Sequence, residues 1–405
     1  MAKLLIIADD LTGAVDTGVQ LAKRGVPTLV LPSVTDFHDA WQYETVAVNT
    51  ESRHASSGIA AEAVTTAVRI GQAHGVLHFY KKTDSTLRGN IGCELQALLR
   101  GCRAQRLMFV PAFPRLGHTT VGGIQYVHGV ELQKTGYARD PLNPINTSVV
   151  ADLVHEQADV EIHTLTSRQL AALNNGCRNG IYIFDCSSDG ELREISSAVS
   201  HLGWTKALAG SAGFADCLAD LLVLARQQSS QPQLSLAWRI LVVNGSMNPA
   251  AALQISRIEQ LGYPVVYVDG LCAQRIDETV RTIQMQSANC VVLSSTDIRM
   301  GRTTSPPQDS ETMLHFAENL GRMVATAIEH ADFQLMIVFG GDTYAGIARA
   351  LQCKSIVPLM EILPGVPLSK MHGRSKEILA ISKAGGFGDD DILPLLFQEV
   401  RRLQS

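Results

Sequence analysis

The sequence predicts an α/β protein of two domains, each a largely parallel sheet flanked by helices. Short apolar or β-branched runs alternate with helical patterns along the whole chain, as in strand–helix–strand units that build parallel sheets. The 405 residues exceed one ordinary core, since domains run to roughly 100–200 residues. Residues 227–233 (QQSSQPQ) carry no charge and no large apolar side chain, and they separate two such series as a linker. The domains are therefore placed at residues 1–228 and 238–405.

In the first series, residues 4–8 (LLIIA) read as a buried strand and residues 12–24 as a helix stopped by Gly25, with Pro27 beyond. Strands follow at 28–31 and 45–49, a helix at 60–74 ended by Gly75, a strand at 77–80, a helix at 91–99 and a strand at 107–110 closed by Pro111. Residues 112–148, rich in Gly, Pro, Thr and Asn, break the alternation; so long a segment is expected to be functional or to add strands. A strand at 180–185 and helices at 191–201 and 218–226 complete the series. Beyond the linker, strands are expected at 239–244, 264–269, 289–294 and 335–339, with helices near 248–261, 274–287, 310–330 and 343–351.

Bulk properties narrow the function classes. Apolar residues make up 46% and charged residues 18%, the balance of a globular chain. With a net charge of −5 and no Lys/Arg run, nucleic acid is not an expected partner. Apolar runs stop well short of the ~18 residues that a membrane helix needs. The start, MAKLLIIADD, is too short in apolar residues for a signal peptide, so a cytoplasmic protein is expected. The eight cysteines form no C-x-x-C and read as buried thiols in a reducing compartment.

The motifs that could carry chemistry fall where strands give way to helices, the edge at which open α/β sheets bind ligands. Asp9, Asp10, Thr12, Gly13 and Asp16 follow the first strand. One of them would suffice to cap the helix; the series suggests carboxylates that accept substrate hydroxyls or help hold a cation. Arg53, just beyond the third strand, is suited to bidentate carboxylate recognition. The segment Lys81-Lys82-Thr83-Asp84-Ser85-Thr86-Leu87-Arg88-Gly89-Asn90 sets three cations beside an aspartate ahead of a helix N-terminus, which favours an anion. Pro111 to Gly123 and Asp140 to Pro144 could form a lid or an inter-domain surface. In the second half three Gly-rich turns recur: Gly245-Ser246, Gly340-Gly341-Asp342-Thr343 and Gly385-Gly386. Such turns expose amides to a phosphate, and three in one domain point to a nucleotide. The chain has no G-x-x-x-x-G-K-[ST] and no G-x-G-x-x-G after a strand, so neither a P-loop enzyme nor a Rossmann dehydrogenase is favoured. Histidines are dispersed without H-x-x-x-H or H-E-x-x-H, and there is no G-x-S-x-G elbow, so no metal ligands are assigned.

Together, ADDLTGAVDTG at 8–18, KKTDSTLRGN at 81–90, GGDT at 340–343 and KAGGFG at 383–388 resemble the four-carbon acid sugar kinases nearly end to end. Within that family DTGVQLAKRG at 16–25 resembles the D-threonate branch more than the 3-oxo-tetronate kinases, with erythronate as another substrate to be considered. The resemblance implies a sugar-acid-binding N-terminal domain and a nucleotide-binding C-terminal domain, with the active site in the cleft between them. It assigns substrate binding to Asp9, Arg53, Lys81, Lys82, Thr83 and Asp84, and ATP binding to Ser246, Gly340, Gly341, Asp342, Thr343 and Gly386. The implied reaction moves the γ-phosphoryl of ATP to the terminal hydroxyl, with Mg2+ required by the chemistry. Asp84 is the first choice to orient or deprotonate that hydroxyl, and Asp342 is its rival. His118 stands where relatives are expected to carry Arg. The expected partners are the sugar acid and ATP, with a homodimer left open. A non-catalytic sugar-acid sensor is the alternative from another class; it would have no use for the three Gly-rich turns.

Overall fold

A computed structural model describes residues 2–34, 40–140, 142–227, 239–268, 276–286, 288–295 and 310–403. The chain divides into two compact units, residues 1–229 and 230–405. Most of the proposed linker, from residue 228 onward, and Cys272 lie outside the described residues.

The first unit starts with β1 (Leu4–Ala8), α1 (Leu11–Ala22), β2 (Thr28–Leu31), β3 (Thr45–Asn49), α2 (Ser57–Ala73), β4 (His78–Lys82), α3 (Ile91–Gly101) and β5 (Arg106–Val110). Its later elements are β6 (His118–Val121), β7 (Ile124–Val127), β8 (Val130–Glu131), α4 (Val150–His155), β9 (Ile162–Leu165), β10 (Gly180–Phe184), α5 (Asp189–Leu202), β11 (Ala207–Gly210), α6 (Ala212–Ala215) and α7 (Leu218–Leu221). The main sheet runs β2-β3-β1-β4-β11-β5-β10-β9, every pair parallel. The central strands are buried on both faces and largely apolar, and all five residues of β1 are fully buried; among the polar exceptions, Asn49, Lys81 and Lys82 stand at the strand ends that face the loops. Register brings Ala8 level with Asn49 and Lys82, and Lys82 level with Gly210. The loops after β1, β3 and β4 therefore leave the sheet side by side. The loop-rich segment 112–148 supplies the small antiparallel sheet β6-β7-β8.

In the second unit the elements are β12 (Ile240–Asn244), α8 (Pro249–Gln260), β13 (Val265–Tyr267), α9 (Ile276–Met285), β14 (Cys290–Ser294), α10 (Ser310–His330), β15 (Leu335–Phe339) and α11 (Gly341–Ala350). They are followed by β16 (Ser355–Leu363), β17 (Val366–His372), β18 (Glu377–Lys383) and α12 (Ile392–Arg402). Its strands run β13-β14-β12-β15-β18-β17-β16, parallel as far as β18 and antiparallel thereafter. Asn244 pairs with Phe339, and Phe339 with Lys383, so the three Gly-rich turns leave adjacent strands at one edge. Val242, Ile255, Phe339, Leu368, Leu393 and Phe397 belong to the core beneath them.

Three sequence expectations need correction. The helix proposed at 218–226 stops at Leu221, because Val223 adopts φ +50° and the amides of Val223 and Leu224 turn back to the carbonyls of Asp220 and Ala219. That is a helix-ending turn of the kind usually made by glycine, and here it buries Leu224. The strand proposed at 77–80 runs on to Lys82, so Lys81 and Lys82 are strand residues and not loop residues. Strands β9, β11, β16, β17 and β18 and helices α4, α6 and α12 had no counterpart in the sequence reading.

Helices α10 and α11 meet backbone to backbone. A Cβ on Gly346 would lie 2.3 Å from the Ala317 carbonyl oxygen, and one on Gly321 would lie 2.3 Å from that of Gly346. Gly346→Ala should therefore cost about 1–3 kcal/mol by overpacking, read as a lower denaturation midpoint. Gly58→Ala is the control: a Cβ on Gly58, in α2, would meet nothing within 4 Å, and it should not destabilise.

Candidate functional site

At the end of β1, Asp10 caps α1 by accepting a 2.8 Å hydrogen bond from the Gly13 amide. Its other oxygen and one oxygen of Asp9 receive Arg53: Nε donates to Asp9 Oδ2 and Nη1 to Asp10 Oδ2, both at 2.7 Å. Backbone bonds fix the same geometry, since the amides of Ser52 and Arg53 donate to the Asp9 carbonyl. Burial pushes the Asp9 carboxyl up, but the charges of Arg53, Lys81 and Lys82 more than offset it and hold the group below its ordinary value. Asp9 Oδ1 is buried and accepts no hydrogen bond among the described residues.

Lys81 and Lys82 point to different partners, as successive strand residues must. Lys81, fully buried, pairs at 3.0 Å with Glu94 Oε2 of α3, and Ser52 Oγ donates to Glu94 Oε1 at 2.5 Å. Burial, and the nearby Asp9 charge, raise the Glu94 carboxyl against the pull of Lys81 and Ser52. Lys82 Nζ donates to the Thr83 carbonyl and reaches the first turn of α1, where a Cβ on Gly13 would stand 3.1 Å from it. Asp84 follows, its Oδ2 accepting from Arg88 Nε at 2.6 Å and Thr86 Oγ1 at 2.5 Å. Burial raises this carboxyl, but Arg88 and Arg53 outweigh it and hold it well below the usual carboxylate range. Arg88 in turn donates to Asp140 at 3.1 Å and lies 5.4 Å from the Tyr137 ring centroid. The 137–140 turn is thereby tied to the 84–88 loop. His118 contacts that loop as well, through the Ser85 carbonyl at 3.3 Å.

The sequence-assigned Asp9, Arg53, Lys81, Lys82, Thr83 and Asp84 thus form one cluster. Glu94, Arg88 and Asp140 join it without having been assigned a role. A lone Glu on an amphipathic helix carries no signal, whereas Arg88 is one of the three cations of the 81–90 segment and Asp140 opens the 140–144 segment.

In the second unit the three Gly-rich turns converge. A Cβ on Gly245 would lie 2.2 Å from Thr343 Oγ1, one on Gly340 3.7 Å from Ser246 Cβ, and one on Gly385 1.9 Å from Ser246 Oγ. The approaches at Gly245 and Gly385 leave no room for a Cβ, and Gly340 needs glycine for its φ of +101°. Ser246 accepts from the Asn248 amide, and Asn248 caps α8. Asp342, in the first turn of α11, is exposed, while Thr343 is buried against Gly245. A cradle of glycines, hydroxyls and two helix N-termini suits the phosphates of a nucleotide.

Comparison with known proteins agrees with this division. Residues 4–218 match the model of a sugar-binding N-terminal domain, and residues 241–393 that of a nucleotide-binding C-terminal domain. A D-threonate kinase of Bordetella bronchiseptica is 30% identical over 98% of this chain and 97% of its own. One of Salmonella typhimurium is 29% identical over 96% of both. A D-erythronate kinase of Heliobacterium modesticaldum is 25% identical over 96% of this chain and 95% of its own. The crystal structure of a Haemophilus influenzae protein superposes with a TM-score of 0.74 at 20% identity, covering 99% of this chain and 100% of its own, a likeness of fold.

Asp84 has consequences for stability. Its folded-state pKa lies below the ~3.9 of an unfolded aspartate, so its stabilisation is complete above that value and is lost as pH falls through the folded pKa. The urea midpoint should drop on acidification from pH ~6 to ~3, and less steeply in Asp84→Asn. Equal slopes for the two proteins would remove Asp84 as a source of the linkage.

Proposed function

The chain belongs to the four-carbon acid sugar kinases, phosphotransferases acting on a four-carbon sugar acid, and from that premise we propose that it converts D-threonate to 4-phospho-D-threonate with ATP. The observation that carries the reading is the Arg53 clamp, which holds two carboxylates beside Lys82 and leaves one buried oxygen of Asp9 open. The two relatives named D-threonate kinases support this substrate over D-erythronate and the 3-oxo-tetronates.

In this reading Asp9 Oδ1 accepts a substrate hydroxyl, and Arg53 with Lys82 attracts the substrate carboxylate. Thr83 contributes an unpartnered buried hydroxyl. Lys81 acts through Glu94 and the field at Asp9, since its ammonium is already engaged. Asp84 orients the attacking hydroxyl. Its low pKa makes it a weak proton acceptor, but a loose phosphoryl-transfer transition state asks chiefly for positioning and charge stabilisation. On the nucleotide side, Ser246, Gly340, Gly341, Thr343 and Gly386 hold the phosphates. Asp342, exposed in the first turn of α11, would hold Mg2+ or take the proton. Among the described residues no three His, Cys, Asp or Glu side chains form a metal cage. A Mg2+ carried by phosphate oxygens and one carboxylate requires none, and it would neutralise developing charge there.

An ATP-consumption assay over D-threonate, D-erythronate and 3-oxo-tetronates should give the highest kcat/KM with D-threonate; a preference for another acid overturns the substrate assignment. In Asp84→Asn turnover should fall by a factor of about 100 or more while ATP still binds, and near-normal kcat would exclude Asp84 from the chemistry. Ser246→Ala should raise the KM for ATP by about 2- to 12-fold, the loss of one hydrogen bond, and an unchanged value would count against its role.

A further inference from the structure

Lys383 ends β18, is only 1% exposed, and directs its ammonium into the turn that follows. Nζ donates to the carbonyls of Ala384 at 3.0 Å, Gly385 at 3.1 Å and Phe387 at 2.7 Å. The Phe339 ring lies beneath it, 4.2 Å from Nζ to the centroid. All three ammonium protons are thus matched by backbone acceptors, as a buried cation requires. A second buried side chain grips the same turn from α8: Gln254 Nε2 donates to the carbonyls of Phe387 at 3.2 Å and Gly388 at 2.9 Å. Four carbonyls of one short turn therefore face inward.

In a trans peptide the N–H points away from the preceding C=O. With the Ala384 and Gly385 carbonyls on the ammonium, the N–H groups of Gly385 and Gly386 are directed away from Lys383. The flank of the turn at these glycines is the one that meets Ser246 and Asn248: a Cβ on Gly386 would lie 2.6 Å from Asn248 Nδ2. Successive outward amides at a Gly-rich turn make a concavity for an anionic oxygen. Burial pushes the Lys383 ammonium down to about 7.

We propose that Lys383 and Gln254 are positioning residues for the nucleotide: they gather the carbonyls of residues 384–388 and so present the Gly385 and Gly386 amides to a phosphate, without touching the phosphate themselves. The proposal rests on the nucleotide reading of this unit. A lysine at a phosphate site ordinarily acts as a point charge on the anion; here the charge is spent on the backbone and acts through it.

The test uses the full chain and varies ATP and sugar acid separately, with calorimetric titration of a non-hydrolysable ATP analogue alongside. Lys383→Met should raise the KM for ATP and the analogue's Kd by at least about tenfold, while kcat and the sugar-acid KM stay within about threefold. Gln254→Leu should move the same constants in the same direction by a smaller factor. If both variants keep the wild-type ATP KM, or if both substrates lose affinity equally, positioning is overturned. An effect of Lys383→Met with a silent Gln254→Leu also overturns it, in favour of direct phosphate contact. Should Lys383→Met fail to fold, Gln254→Leu decides by the same criterion. Wild-type chain that binds no adenine nucleotide overturns the nucleotide reading itself; wild-type chain that binds it while both variants match it overturns only the positioning.

Discussion

The guanidinium of Arg53 is the constraint around which the first unit's site is arranged. A buried arginine loses most of its hydration, and that loss is tolerable only where carboxylates meet its donors. Asp9 and Asp10 meet them, one on Nε and one on Nη1, and they come from the turn that starts α1. The bond fixes the loop after β3 against the end of β1 and uses only one oxygen of Asp9. The other oxygen of this carboxylate, which its neighbours keep ionised, is buried and has no hydrogen-bond partner among the described residues. Gly89, at φ +90°, lets the next loop press on Arg53 from the other side, 3.2 Å from its Cγ for a Cβ built there.

Around this clamp the charges form layers. Lys81 lies behind Asp9 with Glu94 as partner, and Arg88 lies beyond Asp84 with Asp140 as partner. Lys81 and Arg88 thus each have a carboxylate partner, Lys82 donates to the Thr83 carbonyl, and the Lys81 charge helps hold Asp9 ionised. The second unit reaches preorganisation by other means. There Lys383 is surrounded by carbonyls and an aromatic ring, and its charge sets the direction of peptide dipoles. Glycines at 245, 385 and 386 are needed because three turns occupy one small volume, and the one at 340 because of its φ of +101°.

Much of this was legible in the sequence, and for one reason. Parallel strands end at a common edge, so motifs that follow successive strands are neighbours before any coordinates are known. That placed Asp9, Arg53 and the 81–84 segment in one cluster and the turns at Gly245 and Gly340 in another; the turn at Gly385 follows β18, a strand outside the sequence reading, and only the fold sets it beside them. The antiparallel strands β16 and β17 were not legible, because a mixed apolar and polar run such as SIVPLMEIL matches neither a helical nor a strict alternating period. The end of α7 was missed for a different reason. Val223 carries no local signal for a positive φ, and its conformation is imposed by the burial of Leu224.

The sequence by itself determined the α/β class, the two series of elements and the identity of the residues at strand ends, since these depend on periodicity and local chemistry. Tertiary structure alone decided what each charge faces. Lys81 and Lys82 are adjacent in sequence, yet strand pleating sends one to a buried glutamate and the other to the start of α1. Lys383 sits within a motif that suggests a phosphate ligand, and the fold turns its ammonium to the backbone instead. Direction of a side chain depends on register and packing between segments far apart in the chain, and no local pattern encodes it.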